Sequence, residues 1–210
     1  MSTTKKILSC LAQDDRFKGQ SRSQGLIISH SGGYFLQGLA IERTSYKATF
    51  YIWVVVFSWF HPTDSLGLEF GFRLQDGAFF EGDSNAICAR IFDALEQDSR
   101  AREWLFEPMT PDRFLSQNHK ISTYPQHAPA ATVFDIAALT ALAGGYAHAR
   151  QLLVELQTRI DYLPPESPLR NITVSLLDCP SDKAAIEAVL HARSIANKQK
   201  LLPTHMQEQP

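Results

Sequence analysis

The chain has 210 residues, 44% of them hydrophobic, and its 20 Lys and Arg against 22 Asp and Glu leave a formal net charge of −2. Such a length suits one large domain that buries its own core. The near-neutral balance gives no overall field toward nucleic acid or an anionic membrane, so either partner would need a local basic patch.

Ser2 or Thr3 can cap a first helix in which Ile7, Leu8 and Leu11 cluster at helical spacing, ending near Asp14-Asp15. Arg16–Gln24 is a polar loop, and Gly25–His30 reads as a short strand. The turn signal Ser31-Gly32-Gly33 then leads by a hairpin into Tyr34–Arg43.

Ala48–Phe60, ATFYIWVVVFSWF, is the most apolar stretch and consists almost wholly of residues that favour strands. It is the expected central strand. Phe50, Ile52, Val54 and Val56 take one face, and Tyr51, Trp53, Val55, Phe57 and Trp59 take the other. Both faces therefore call for cover, from helices of the chain or from another protein. A run this short does not cross a bilayer, which needs about 20 apolar residues.

Pro62 and Asp64 mark a turn, and Leu66–Gln75 alternates as a fourth strand, with Leu66, Leu68, Phe70, Phe72 and Leu74 opposite Gly67, Glu69, Gly71, Arg73 and Gln75. Asp83 or Ser84 can cap a helix whose apolar stripe is Ile87, Ile91, Phe92 and Leu95. Charges from Glu96 to Glu103 give way to Trp104-Leu105-Phe106. Glu107–Pro129 holds four prolines and reads as a long connection with one short helix near Pro111–Ser116.

Ala131–Ile160 is helical, broken at Gly144-Gly145, and Asn171–Leu177 alternates as a candidate fifth strand. Ser181 or Asp182 starts a last helix expected to bury Ala185, Ile186, Val189, Leu190 and Ile195. The segment after Ala196 lacks a sustained apolar stripe and is expected to be dispensable for folding.

The fold class is α+β: an antiparallel meander of four strands, or five with Asn171–Leu177, with helices packed mainly on one face and a helical C-terminal half. Residues 1–196 read as a single domain, sheet-rich over 1–106, joined through 107–130 to a helical part over 131–196, and 197–210 read as a flexible tail. This layout resembles that of small bacterial cytosolic proteins, including immunity and defence-accessory proteins. The resemblance rests on no diagnostic motif.

Chemistry leaves few marks on the chain. Cys10, Cys88 and Cys179 lie far apart and form no CxxC pair, which argues against a zinc ribbon or a redox motif and fits reduced thiols in the cytoplasm. Ile7-Leu8-Ser9-Cys10 lacks the apolar stretch that a lipoprotein signal places before its cysteine. His119 and His127 share a loop and with Asp112 are conceivable ligands, but no histidines show HExxH or HxH spacing, so surface loop residues are the better reading. No GxSxG elbow, P-loop or GxGxxG fingerprint is present, and no catalytic residue, metal or cofactor is implied.

One constellation invites a binding role. Glu69 and Arg73 share a face of the fourth strand, and with Trp53 and Trp59 of the central strand they would make an aromatic surface carrying two opposite charges. A self-satisfied ion pair beside ordinary packed rings is the plainer account. The leading function is accordingly a non-catalytic cytosolic binding or regulatory protein acting through a protein partner or a second copy of itself. An enzyme or small-ligand binder whose site forms only in three dimensions, drawing on Asp112, His119, His127 and Glu69, is the alternative. Nucleic-acid binding would need Arg16, Lys18, Arg22, Arg43 and Lys47 in one stripe.

Overall fold

The computed structural model describes residues 2–17, 22–23, 25–46, 48–62, 70–118, 128–179 and 182–201, with the backbone alone at Arg22, Ser23, His30 and Ser31. The described chain resolves into two compact units. The first takes residues up to Phe57 together with 70–108, and the second takes 58–62 and 109–201. The change from one to the other at Pro108 and Met109 falls inside the proline-rich connection.

The first unit begins with α1, Thr3–Leu11, capped by the Ser2 hydroxyl, which accepts from the Lys5 amide, with Ile7, Leu8 and Leu11 buried. Among the described residues a six-stranded sheet follows: β1 Arg22–Ser23, β2 Leu26–Gly32, β3 Phe35–Arg43, β4 Thr49–Ser58, β5 Gly71–Arg73 and β6 Phe80–Glu81. The order β1-β2-β3-β4-β5 is a meander in which every pair of known register is antiparallel, and β6 also pairs with β4. The apolar stretch is thus central, with β3 along one edge and β5 and β6 along the other.

The fourth strand ends at Arg73, before the Gln75 that its alternation suggests. Among the described residues Gly71–Arg73 pairs with β4, the Phe70 carbonyl just before it accepts from the Val56 amide at 3.0 Å, and Leu74–Gly77 turns away as a 3-10 helix in which Gln75 and Asp76 hold φ of 54° and 51°. Its first half, including Glu69, lies outside the described residues.

Helices of this unit gather on one face. Asp83 caps α2, Ser84–Gln97, by accepting from the Asn85 and Ala86 amides, and Asp98 caps α3, Ser99–Phe106, by accepting from Ala101. Ile87, Ile91 and Leu95 of the expected stripe are buried. α3 packs on β2 and β3. There the buried Gln37 amide donates to the Trp104 and Glu107 carbonyls, satisfying the C-terminus of α3, and Ser29 donates to Leu105. Phe35, Leu39, Phe50, Ile52, Val54 and Val56 are all buried on the sheet.

The second unit is helical: α4 Pro111–Gln117, α5 Ala130–Leu142, α6 Tyr146–Ile160, α7 Pro168–Leu177 and α8 Lys183–Leu201. α5 is buried almost all round and packs against α4, α6, α7 and α8, as expected of a helix that is apolar on every side. It ends where predicted, with Gly144 at φ +88°, a left-handed conformation that glycine adopts without Cβ strain.

Two expectations fail here. Asn171–Leu177 is helix, not a fifth strand: Pro168 occupies the first turn, Thr173 donates to the Leu169 carbonyl, and Ile172, Thr173 and Leu176 are buried at helical spacing. Their period-two alternation is compatible with both readings, and the proline decides it. The last helix does not fray after Ala196 but runs to Leu201 with Asn197 buried, whereas Ile195 is 43% exposed. Residues 202–210 of the expected tail lie outside the description.

Candidate functional site

The outer face of the sheet in the first unit carries a continuous stack of side chains. Trp53 and Arg73 lie directly opposite each other on β4 and β5, so their side chains share a face. The Arg73 guanidinium carbon stands 3.5 Å from the Tyr51 ring centre and 4.8 Å from that of Trp53. One guanidinium nitrogen is 3.6 Å from a Glu42 carboxylate oxygen, which also accepts from the Trp53 indole at 2.7 Å. Beyond Tyr51 comes Phe79, 4.8 Å between ring centres, and beyond Phe79 comes Tyr46, 6.2 Å away edge-on.

Exposure rises along this row. Arg73, Tyr51 and Trp53 are half-buried, Phe79 is 41% exposed and Tyr46, at the β3–β4 turn, is 67% exposed. At the other end of the same face Leu36, Val55 and Phe57 are buried. The second apolar face of the central strand is therefore not bare, and its accessible part is the aromatic row.

Two of the four predicted surface residues, Trp53 and Arg73, come together here. Trp59 does not join them, because β4 ends at Ser58 and Trp59 lies in the following turn, fully buried in the second unit. Alternation holds only while the strand lasts. Glu69 falls outside the described residues, and the acid facing Arg73 is Glu42. Tyr46 and Phe79 carried no sequence signal beyond being apolar residues beside turns.

Other candidate groupings dissolve or fall out of view. Arg16 is bound to Asp14 and Glu96, Lys18 and Lys47 are outside the described residues, and only the backbone of Arg22 is described, so no basic stripe can be drawn. Asp112 sits in the first turn of α4, while His119 and His127 are also outside the description. Among the described residues no group of three or more His, Cys, Asp or Glu is placed to hold a metal, and no helix is long and apolar enough to cross a membrane.

The second unit contains a buried polar chain. His61 Nδ1 and an Asp135 carboxyl oxygen on α5 share a hydrogen bond at 2.5 Å. Asn197 on α8 donates to the carbonyls of Trp59 and His61 at 2.7 and 2.8 Å. His61 and Asp135 are 1% and 0% exposed, so this chain ties the Trp59–His61 turn to two helices.

An open cavity of about 400 Å³ in the first unit is lined by Phe72, Gln75, Asp76, Gln97, Asp98 and Arg100 among others. No protein-family model, curated protein or solved structure matches the chain.

Proposed function

We propose that the protein is a non-catalytic binding or regulatory protein that engages a protein partner through the Tyr46–Phe79–Tyr51–Arg73–Trp53 face of its sheet. The observation that carries this reading is the graded stack itself. Tyr, Trp, Phe and Arg are the side chains that most often dominate protein interfaces, and here they lie contiguous and partly solvent-facing. Arg73 is already ordered by two rings and Glu42, so docking against it would cost little further side-chain entropy.

Affinity capture with the full chain, combined with light scattering, tests this. A partner or a second copy should be retained by the unmodified protein and lost with the paired change Tyr46→Ser and Phe79→Ser, both at exposed positions. A strictly monomeric chain that retains no protein, or a complex indifferent to these changes, overturns the proposal.

The alternative is a small-ligand binder or enzyme, favoured by the polar cavity beside the left-handed Gln75-Asp76 turn, since strained backbone recurs at ligand sites. Turnover or binding of a small molecule by the purified chain, abolished by Asp76→Ala, would favour it.

A further inference from the structure

β5 and β6 both pair with β4, but the chain between them is longer than the pairing needs. From Arg73, opposite Trp53, to Phe80, opposite Phe50, the outer strand advances seven residues while β4 advances three. The four residues of Leu74–Gly77 are therefore extruded from the sheet. Buried Leu74 anchors the excursion, and Gln75, Asp76 and Gly77 follow with φ of 54°, 51° and 87°, a left-handed run that only the glycine adopts without Cβ strain. Gln75 and Asp76 form one wall of the open cavity of about 400 Å³, and the α2–α3 junction from Gln97 to Arg100 forms another.

This cavity lies on the helix-bearing face of the sheet. Phe72, in its lining, meets Trp104 of α3 edge-on at 5.4 Å between ring centres, whereas Arg73, next along β5, points to the aromatic row. Arg100 is placed by rings: its guanidinium carbon stands 4.0 Å from the Phe72 ring centre and 5.3 Å from that of Trp104. Among the described residues its N–H groups meet no carbonyl or carboxylate, and the Asp76 carboxylate meets no donor. Asp98 differs, because its Oδ1 accepts from the Ala101 amide and its charge is offset by the start of α3.

We propose that the cavity is a binding site for a free α-amino acid with a polar, uncharged side chain. The uncommitted charges of the lining are one of each sign, Arg100 and Asp76, and an amino acid carries one carboxylate and one ammonium. A planar guanidinium already resting on a ring offers its fork to the carboxylate, and Asp76 accepts from the ammonium. A phosphate would bring its charges against Asp76 and Asp98, and a polyamine would bring its own against Arg100. Gln75, Gln97 and Ser99 supply amides and a hydroxyl for the ligand side chain. The proposal rests on the small-ligand reading of this cavity and leaves the aromatic face, on the other side of the sheet, to its partner.

The test titrates the full, isotope-labelled chain in turn with L-serine, L-threonine, L-asparagine and L-glutamine, followed by amide chemical shifts and calorimetry. With at least one of them the shifts should saturate and centre on Gln75–Gly77 and Gln97–Arg100. Arg100→Gln and Asp76→Asn should each weaken that binding about tenfold or more, the loss of one charge-assisted pair. Asparagine tolerates left-handed backbone, and spectra that overlay away from the cavity show each variant folded. The carboxamide of the bound amino acid should bind the unmodified chain as weakly as the amino acid binds Arg100→Gln, and its deamino analogue should match Asp76→Asn. An analogue that binds as well as the amino acid would overturn the amino-acid assignment while leaving the cavity a ligand site. No saturable shift with any of the four overturns the proposal, and the same silence toward a set of charged and neutral fragments would overturn the small-ligand reading as well. Shifts centred elsewhere, or unchanged affinity in both variants, would overturn the proposal equally.

Discussion

The guanidinium carbon of Arg73 stands 3.5 Å from the centre of the Tyr51 ring, and the carboxylate of Glu42, 3.6 Å from the guanidinium, holds it there. Planarity matters for this stack more than charge does, because a flat guanidinium can lie on one ring and pair with a carboxylate at its edge at the same time. Arg73→Lys keeps the charge but loses the stack. It should cost about 0.5–1 kcal/mol by urea denaturation and shift tryptophan emission to the red as Trp53 gains water. An unchanged emission maximum would show that Arg73 does not cover Trp53 in solution.

Along β4 the cost of truncation should follow burial and not ring size. Phe57 is 3% exposed whereas Trp53 is half-buried, although sequence alternation places both on the same face. Phe57→Ala should lower stability by about 3–4 kcal/mol, the range for a buried aromatic side chain, and Trp53→Ala by clearly less. Equal denaturation midpoints for the two variants would contradict the gradient of exposure along this face.

Gly38 on β3 marks a point of close backbone approach. A Cβ built there would lie 2.4 Å from the Ile27 carbonyl oxygen on β2 and 3.1 Å from Leu26 Cδ1, next to the irregular step in the β2–β3 register between Ile28 and His30. Backbone cannot yield as a flexible side chain does, so Gly38→Ala should destabilise by about 1–3 kcal/mol, read as a fall in thermal midpoint.

What the sequence discloses and what it hides divide along physical lines. β4, the hairpin before it, the Asp83 cap and the break at Gly144 are local signals that lie where the residues predict, except that β4 stops at Ser58 and not at Phe60. Helix α7 misled because Ile172, Val174 and Leu176 fit alternation as well as helical spacing; weighing Pro168 as a first-turn residue would have settled it. The aromatic row was half legible. Trp53 and Arg73 face the same way through strand alternation, but Glu42 and Phe79 reach them only through register and turn geometry, which no local pattern encodes.

Asp14 supplies a pH-dependent contribution to stability. The Arg16 side chain, whose Nε donates at 2.8 Å, together with the Arg16 backbone amide at 3.0 Å, holds the Asp14 carboxyl below its ordinary 3.8. The folded value lies below the unfolded one, so near pH 3.8 and lower the unfolded chain binds the proton more readily. The contribution is therefore complete above the unfolded value and is lost as pH falls through the folded one. The stability gap between the unmodified protein and Asp14→Asn should be constant from about pH 7 to 5 and should narrow toward about pH 2.5. A gap independent of pH over that acid range would mean that the Arg16 pairing is absent in solution.

The C-terminal helix anchors a buried turn through a polar residue. Asn197 is 2% exposed, and its amide nitrogen donates to both the Trp59 and His61 carbonyls, holding the turn whose histidine meets Asp135. Sequence patterning assigns this part of the chain to a dispensable tail because it seeks apolar stripes, and here the anchoring group is an amide. Asn197→Ala withdraws one donor from two buried carbonyls and should cost about 2–3 kcal/mol. Asn197→Asp should cost more, since a carboxylate would face two carbonyl oxygens in a buried site. Truncation after Ala196 removes the same amide and should lower the thermal midpoint at least as far as Asn197→Ala. A truncated chain that melts with the unmodified one would show that the Trp59–His61 turn holds its place without α8.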